Sequence, residues 1–287
     1  MEQRTLGEVQ VGAIGLGAMP LSVDGGPEPQ RAIRTVHAAL DAGVTLIDTA
    51  DAYQPKGAGI GHNEELVARA LASYGGDTSR VLVATKGGHV RTPDGGWDLD
   101  GRPEHLKAAA KASAARLGVE AIGLYQHHRP DPRVPYEETI GALAELLDEG
   151  VIRMAGISNA DEGQIRTAQE VLGGRLAAVQ NQFSPAFRSS RGELELCARS
   201  GIAFLPWSPL GGIANAGRLA QRHEVFAQVA AEHGVSPQQV CLAWELSLSP
   251  TVIPIPGASR PQSITDSAQA VDLELSPEQL ALLDAAA

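Results

Sequence analysis

Long apolar runs, cysteines and positive charge are all scarce in this chain. No window approaches the ~20 consecutive apolar residues that a membrane span requires, so no transmembrane helix is expected. Only two cysteines, Cys197 and Cys241, occur in 287 residues. Both fall in expected helices, which leaves no disulfide framework and points to a reducing, cytoplasmic setting. The opening residues, MEQRTLGEVQ, carry charges and no apolar core, so they do not read as a secretion signal. Lys and Arg number 23 against 34 Asp and Glu, a formal net charge of −11. That balance argues against nucleic acid and anionic membranes as partners, because both would repel an acidic surface. A small phosphate-bearing ligand in a local basic pocket stays compatible with it. Eight histidines are scattered, and no Cys/His spacing resembles a ligand set, so no metal is expected.

What the chain has instead is rhythm. The first ten residues read as a short hairpin around Gly7. Eight β-rich runs then follow, at 11–17, 44–49, 81–85, 121–127, 153–158, 177–182, 202–208 and 251–255. Buried parallel strands read as continuous apolar runs of this kind. Helical patterns fill the gaps. Ile140, Leu143, Leu146 and Leu147 form one apolar stripe, opened by Pro135 and closed by Gly150. Similar patterns cover Ile33–Leu40, Leu106–Leu117 and residues 62–73, 161–171, 189–199 and 262–270. Ser236-Pro237 and Ser276-Pro277 announce two more helices, since Ser caps well and Pro suits the first helical position. Eightfold alternation predicts an α/β chain, a (β/α)₈ TIM barrel with a short N-terminal hairpin and extra helices. No stretch has linker character, so one domain over 1–287 is expected. The longest irregular segment, 87–102, follows the third strand and should overhang the active face.

In such a barrel the strand ends all open on one face, where chemistry occurs. Asp48, Tyr53, Lys86 and His128 lie at or just past three of those ends. A free phenol has a pKa near ~10; a neighbouring ammonium, Lys86, lowers it. Asp48 then serves as the counter-ion that a buried ammonium needs. His127 competes with His128, but alternation sends the two to opposite faces. Taken singly, each of the four has an ordinary reading as a cap, a packed aromatic or a solvated charge. Gly12, Gly15 and Gly17 do not form G-x-G-x-x-G, and no helix opens after them, so they read as strand and turn glycines. His62 and Glu64 sit at a helix start and read as capping residues.

Seven motifs occur in order at the strand ends: DTADAY, VATKGG, LYQHHRPDP, GISN, VQNQFS, PWSPLGG and IPGASR. On these the chain resembles the aldo-keto reductases, barrels that reduce carbonyls with NAD(P)H. The likeness runs from about residue 4 to 285. It implies Tyr53 as general acid, Lys86 and Asp48 as its tuning couple, and His128 as the group that orients the carbonyl oxygen. The family's His-Arg step aligns with His128-Arg129. It further implies Ser158, Asn159 and Gln180 on the nicotinamide carboxamide and Trp207 stacked on the ring. Ser208, Leu210 and Gly212 would meet the pyrophosphate, Ser259 and Arg260 the 2′-phosphate, and Asp266 the adenine. NADPH is therefore the favoured cofactor, with NADH possible. The family often has Glu-Asn where this chain has Asp266-Ser267, which loosens the adenine end. It commonly has Asp at Gly123, a departure early in a strand. Met19, His89 and Trp97 would line the substrate pocket. The chain ends soon after its last helix, which implies an open site for varied aldehydes or ketones. The expected partner is thus a small carbonyl or alcohol substrate. Two alternatives accompany this: operation as an alcohol dehydrogenase, or a non-catalytic nucleotide-sensing subunit.

Overall fold

Two short strands, β1 (Gln3–Leu6) and β2 (Val9–Gly12), pair antiparallel ahead of everything else. Gly7 turns between them at φ +55°, and a Cβ there would lie 2.6 Å from Met154 Sδ. Glycine thus serves both the left-handed turn and the close approach to the barrel floor. In this computed structural model, which describes residues 1–92 and 94–286, the expected strand 11–17 is split. Pro93 and Ala287, both within the expected domain, lie outside the described residues. Val11 and Gly12 belong to the hairpin, and the first barrel strand, β3 (Leu16–Gly17), begins after them.

The chain continues through β4 (Leu46–Asp48) and β5 (Leu82–Gly87). A second hairpin follows, β6 (His89–Arg91) and β7 (Trp97–Leu99), where the sequence predicts an irregular loop. Then come β8 (Ile122–His127), β9 (Ile152–Ser158), β10 (Leu176–Gln180) and β11 (Ala203–Phe204). Seven of these form one parallel sheet in the order β3-β4-β5-β8-β9-β10-β11. Residues 251–257 close it into a (β/α)₈ barrel. Phe204 bridges to Val252 on one side, and Gly17 bridges to Gly257 on the other. This eighth element is not a regular strand. Pro254 and Pro256 have no N–H to give; their carbonyls accept from Gly15 (2.9 Å) and Gly17 (3.0 Å).

The helices are α1 (Pro29–Asp41), α2 (His62–Ala72), α3 (Pro103–Leu117), α4 (Tyr136–Asp148), α5 (Glu162–Val171) and α6 (Arg191–Ser200). They continue with α7 (Leu219–Arg222), α8 (Glu224–His233), α9 (Pro237–Ser247), α10 (Pro261–Ala268) and α11 (Pro277–Ala286). Sequence reasoning missed α7 and α8, although Phe226, Val229 and Ala230 form a buried stripe ended by Gly234 at φ +67°. Ser236 caps α9 as expected, accepting from the Gln239 N–H at 3.1 Å. The capping role expected of Glu64 is overturned. It is fully buried, accepting from Thr85 Oγ1 at 2.5 Å and pairing with Arg116 Nε at 2.6 Å. Among the described residues, no helix is long and apolar enough to cross a membrane.

Alternation sorts every barrel strand into an inside and an outside. Leu46, Leu82, Ala84, Leu124, Met154 and Ala178 form an apolar core with Leu6 and Val11 of the first hairpin. Ile47, Tyr125, Ala155, Ile157 and Val179 face outward into the helix layer. Counting two residues onward from the inner set gives Asp48, Lys86, Gln126 and Gln180, and four onward from Met154 gives Ser158. A polar storey therefore stands directly above an apolar one, at the C-terminal mouth.

Candidate active site

Lys86 is the hub of that storey. Its side chain is fully buried, and its Nζ donates to Asp48 Oδ2 at 2.6 Å, to the Thr49 carbonyl at 2.8 Å and to Tyr53 Oη at 3.2 Å. Asp48 is held on its other oxygen by Gln180 Nε2 at 2.8 Å and Gln126 Nε2 at 3.3 Å. Burial works against the Lys86 ammonium, but Asp48 and Tyr53 outweigh it, so its pKa lies above the ordinary lysine value. The lysine therefore stays charged and its charge is compensated inside the chain.

Tyr53 differs from the sequence expectation in one respect. Burial pushes its phenol above the usual tyrosine value; Lys86 pulls it back down and Asp48 adds to the rise. The net direction is upward, so the group stands as a neutral phenol with a proton to give. The His128 ring lies edge-on to it, centroids 5.6 Å apart. Burial, with Lys86 and His89 nearby, holds His128 well below the usual imidazole range, so it is neutral at pH 7. His127 points the other way, buried near Tyr136, with neither ring nitrogen bonded to a described residue.

Asp48, Tyr53, His128 and Gln180 face a cavity of about 610 Å³, a size typical of small-ligand sites. The β6–β7 hairpin forms one wall. His89 stacks on Trp97 at 4.2 Å and touches His128 edge-on at 5.0 Å. Arg91 covers the Trp97 ring at 4.0 Å. Met19 lines the wall beside β3. Burial and Arg129 push His89 down to about 4.

The opposite wall carries Ser158, Asn159, Gln180, Trp207, Ser208, Leu210 and Gly212. Among the described residues, Asn159 and Ser208 are the two non-glycine residues at positive φ, 57° and 53°. Each such position costs on the order of 1–3 kcal/mol and collects at functional sites. Asn159 spends its amide nitrogen on the His128 carbonyl (3.0 Å) and Ser158 Oγ (2.9 Å). Among the described residues, no hydrogen bond uses its Oδ1, and none reaches the buried Trp207 Nε1. A flat indole, a free amide acceptor and glycines at φ +81° and +88° (Gly211, Gly212) fit a nicotinamide and its adjoining phosphates.

Four residues expected at the cofactor either have protein partners here or stand outside the cavity. Gln180 borders the cavity, but its amide nitrogen serves Asp48. Ser259 and Arg260 stand outside the cavity, at the N-terminus of α10, where Arg260 Nε donates to Ser263 Oγ at 3.2 Å. Asp266, expected at the adenine, turns instead to α9. Its two oxygens accept from Ser236 Oγ (2.6 Å) and Gln239 Nε2 (2.7 Å). Sequence reasoning missed Gln126 as a site residue and used Arg129 only to fix the motif. Gln126 was findable as a polar residue at an inward position of a buried strand. Among the described residues, no cluster of three or more His, Cys, Asp or Glu could hold a metal.

A family model described as "Aldo/keto reductase family" matches residues 13–287. An uncharacterized oxidoreductase of Schizosaccharomyces pombe is 35% identical over 283 residues, covering 97% of this chain and 88% of that protein. A 6-dehydroglucose reductase of Novosphingobium aromaticivorans is 34% identical over 279 residues, covering 91% and 89%. The crystal structure of an aldo-keto reductase from Klebsiella pneumoniae in complex with NADPH superposes with a TM-score of 0.80 at 29% identity. The match covers 99% of this chain and 95% of that one.

Proposed function

The chain belongs to the aldo/keto reductase family, and from that premise we propose that it is an NADPH-dependent reductase of small aldehydes and ketones. The nicotinamide, when bound, supplies the hydride. Tyr53 donates its proton to the carbonyl oxygen. Lys86 stabilises the phenolate that this leaves, and Asp48 keeps Lys86 charged and aimed. His128, neutral and edge-on to Tyr53, offers a second hydrogen bond to the same oxygen and fixes the carbonyl's approach. Trp207 offers a stacking face, with Ser158 and Asn159 beside it for the carboxamide. Ser208, Leu210 and Gly212 follow for the pyrophosphate, and Ser259 and Arg260 for the 2′-phosphate. The observation that carries this reading is the Asp48–Lys86–Tyr53 chain, at 2.6 and 3.2 Å, opening into a cavity walled by Trp207. A solved relative that carries NADPH supports the choice of cofactor.

The test is loss of NADPH absorbance with an activated aromatic aldehyde such as 4-nitrobenzaldehyde, repeated with NADH and with alcohols and NADP⁺. Turnover with NADPH is expected, and weaker turnover with NADH. NADPH binding, followed by protein fluorescence, without turnover of any aldehyde, ketone or alcohol would replace this reading with that of a nucleotide sensor.

A further inference from the structure

The same cavity holds a cation that the proton relay does not use. Arg129 follows His128 at the end of β8 and lines the cavity. It is half-buried, and among the described residues no ion pair or hydrogen bond engages its guanidinium. Neighbouring arginines are spent differently: Arg91 donates to the Gly95 and Gln54 carbonyls, and Arg133 pairs with Asp131 and Asp98. Arg129 acts electrostatically on Tyr53, His89 and His128, which places it on the acid's side of the cavity.

Formal charge is otherwise nearly absent there. Of the other lining residues only Asp48 is charged, and Lys86 neutralises it at 2.6 Å. The chamber therefore carries about one uncompensated positive charge in a protein whose net charge is −11. A guanidinium that has lost part of its hydration without gaining a partner is costly. Its planar fork of donors matches a carboxylate, two hydrogen bonds at once.

We propose that Arg129 is a specificity residue that binds a carboxylate on the carbonyl substrate. The natural substrates are then oxo acids, with the reducible carbonyl at Tyr53 and His128 and the carboxylate at Arg129. Met19, Trp97 and Ile213 give the spacer an apolar wall. This inference rests on the reductase reading, and the two fail differently.

The experiment compares 4-carboxybenzaldehyde with its methyl ester in wild type, Arg129→Met and Arg129→Lys, each with NADPH. Intrinsic reactivity cancels when the acid-to-ester ratio of kcat/KM is compared between enzymes. That ratio should fall roughly 10- to 100-fold in Arg129→Met, the usual worth of hydrogen bonds to a charged group, mostly through KM. Arg129→Lys should recover part of it, as a point charge without the fork. A ratio that moves less than about twofold overturns the proposal. So does a loss that falls on NADPH affinity instead, which would assign Arg129 to the cofactor. A second readout needs no turnover: 4-(hydroxymethyl)benzoate, titrated into the enzyme–NADP⁺ complex, should bind Arg129→Met at least roughly tenfold more weakly. Equal binding also overturns it. Ester that is never reduced by wild type counts against the reductase reading, while the benzoate titration still decides Arg129.

Discussion

Lys86 decides two things at once, and they can be separated by substitution. Tyr53→Phe removes only a proton donor; kcat for aldehyde reduction should fall roughly 10²–10⁴-fold, the usual worth of a positioned acid, with little loss of stability. Lys86→Met should lose a similar factor and also stability. It strands Asp48 in a buried site, and breaking such a pair costs about 3–5 kcal/mol. Steady-state rates and urea midpoints on both variants check this. Equal stabilities would mean that Gln126 and Gln180 satisfy Asp48 without the lysine. The four residues at the strand ends were legible because their chemistry is out of place beside apolar runs. Gln126 was less so, since one amide in AIGLYQHH reads either way until its face is counted from Leu124 inward. The partners of Asp266 were hidden for the opposite reason. Its motif position suggests a ligand contact, while its short carboxylate reaches Ser236 and Gln239. The Tyr53 shift misled too: charge proximity shows in a sequence, and the depth of burial that outweighs it does not.

At the scale of elements, the departure with most consequence is the β6–β7 hairpin. GGHVRTPDGGWDLDGR has the glycines and charges of an open loop. Its order comes from partners far along the chain, which no local pattern records. Arg133, between β8 and α4, is the clamp: it pairs with Asp98 (3.1 Å) and Asp131 (2.9 Å) and donates to the Leu99 carbonyl. Asp131 in turn accepts from the Gly101 N–H at 3.0 Å, and Arg133 holds its carboxyl down to about 2. Since this hairpin carries His89 and Trp97, Arg133→Ala should loosen the substrate wall and leave the proton relay intact. KM for bulky aromatic aldehydes should rise roughly three- to tenfold, the scale of one ordinary hydrogen bond, with kcat within about twofold. Limited proteolysis should move to residues 88–100. Unchanged KM and unchanged cleavage would show that the stack of His89 on Trp97 holds the hairpin alone. The eighth barrel element failed to be a regular strand for a reason that was legible: IPIPG removes two ladder donors in three residues.

For the whole molecule, the titration of buried groups predicts a stability optimum. His89 and His127 have an ordinary value of 6.5, and burial takes both down to about 4 in the fold. Between those limits the unfolded chain binds more protons, so stability rises with pH and is lost as pH falls. His128 shifts the same way. Asp51 acts with the opposite sign. Burial, and Glu64 beside it, lift its carboxyl from 3.8 to about 7. Over that window the folded state holds the extra proton, so stability declines as pH climbs. Glu245, fully buried in α9 with neither oxygen bonded to a described residue, is raised well above its ordinary value and adds to that decline. Below about pH 6.5 three imidazoles outweigh two carboxyls; above it only the carboxyls still slope. Urea midpoints of the cofactor-free protein should therefore peak between about pH 6 and 7. Glu245→Gln should flatten the alkaline limb, and His127→Asn the acid limb. A wild-type midpoint that stays level from about pH 7 to 8.5 would mean that Glu245 ionises in the fold without penalty.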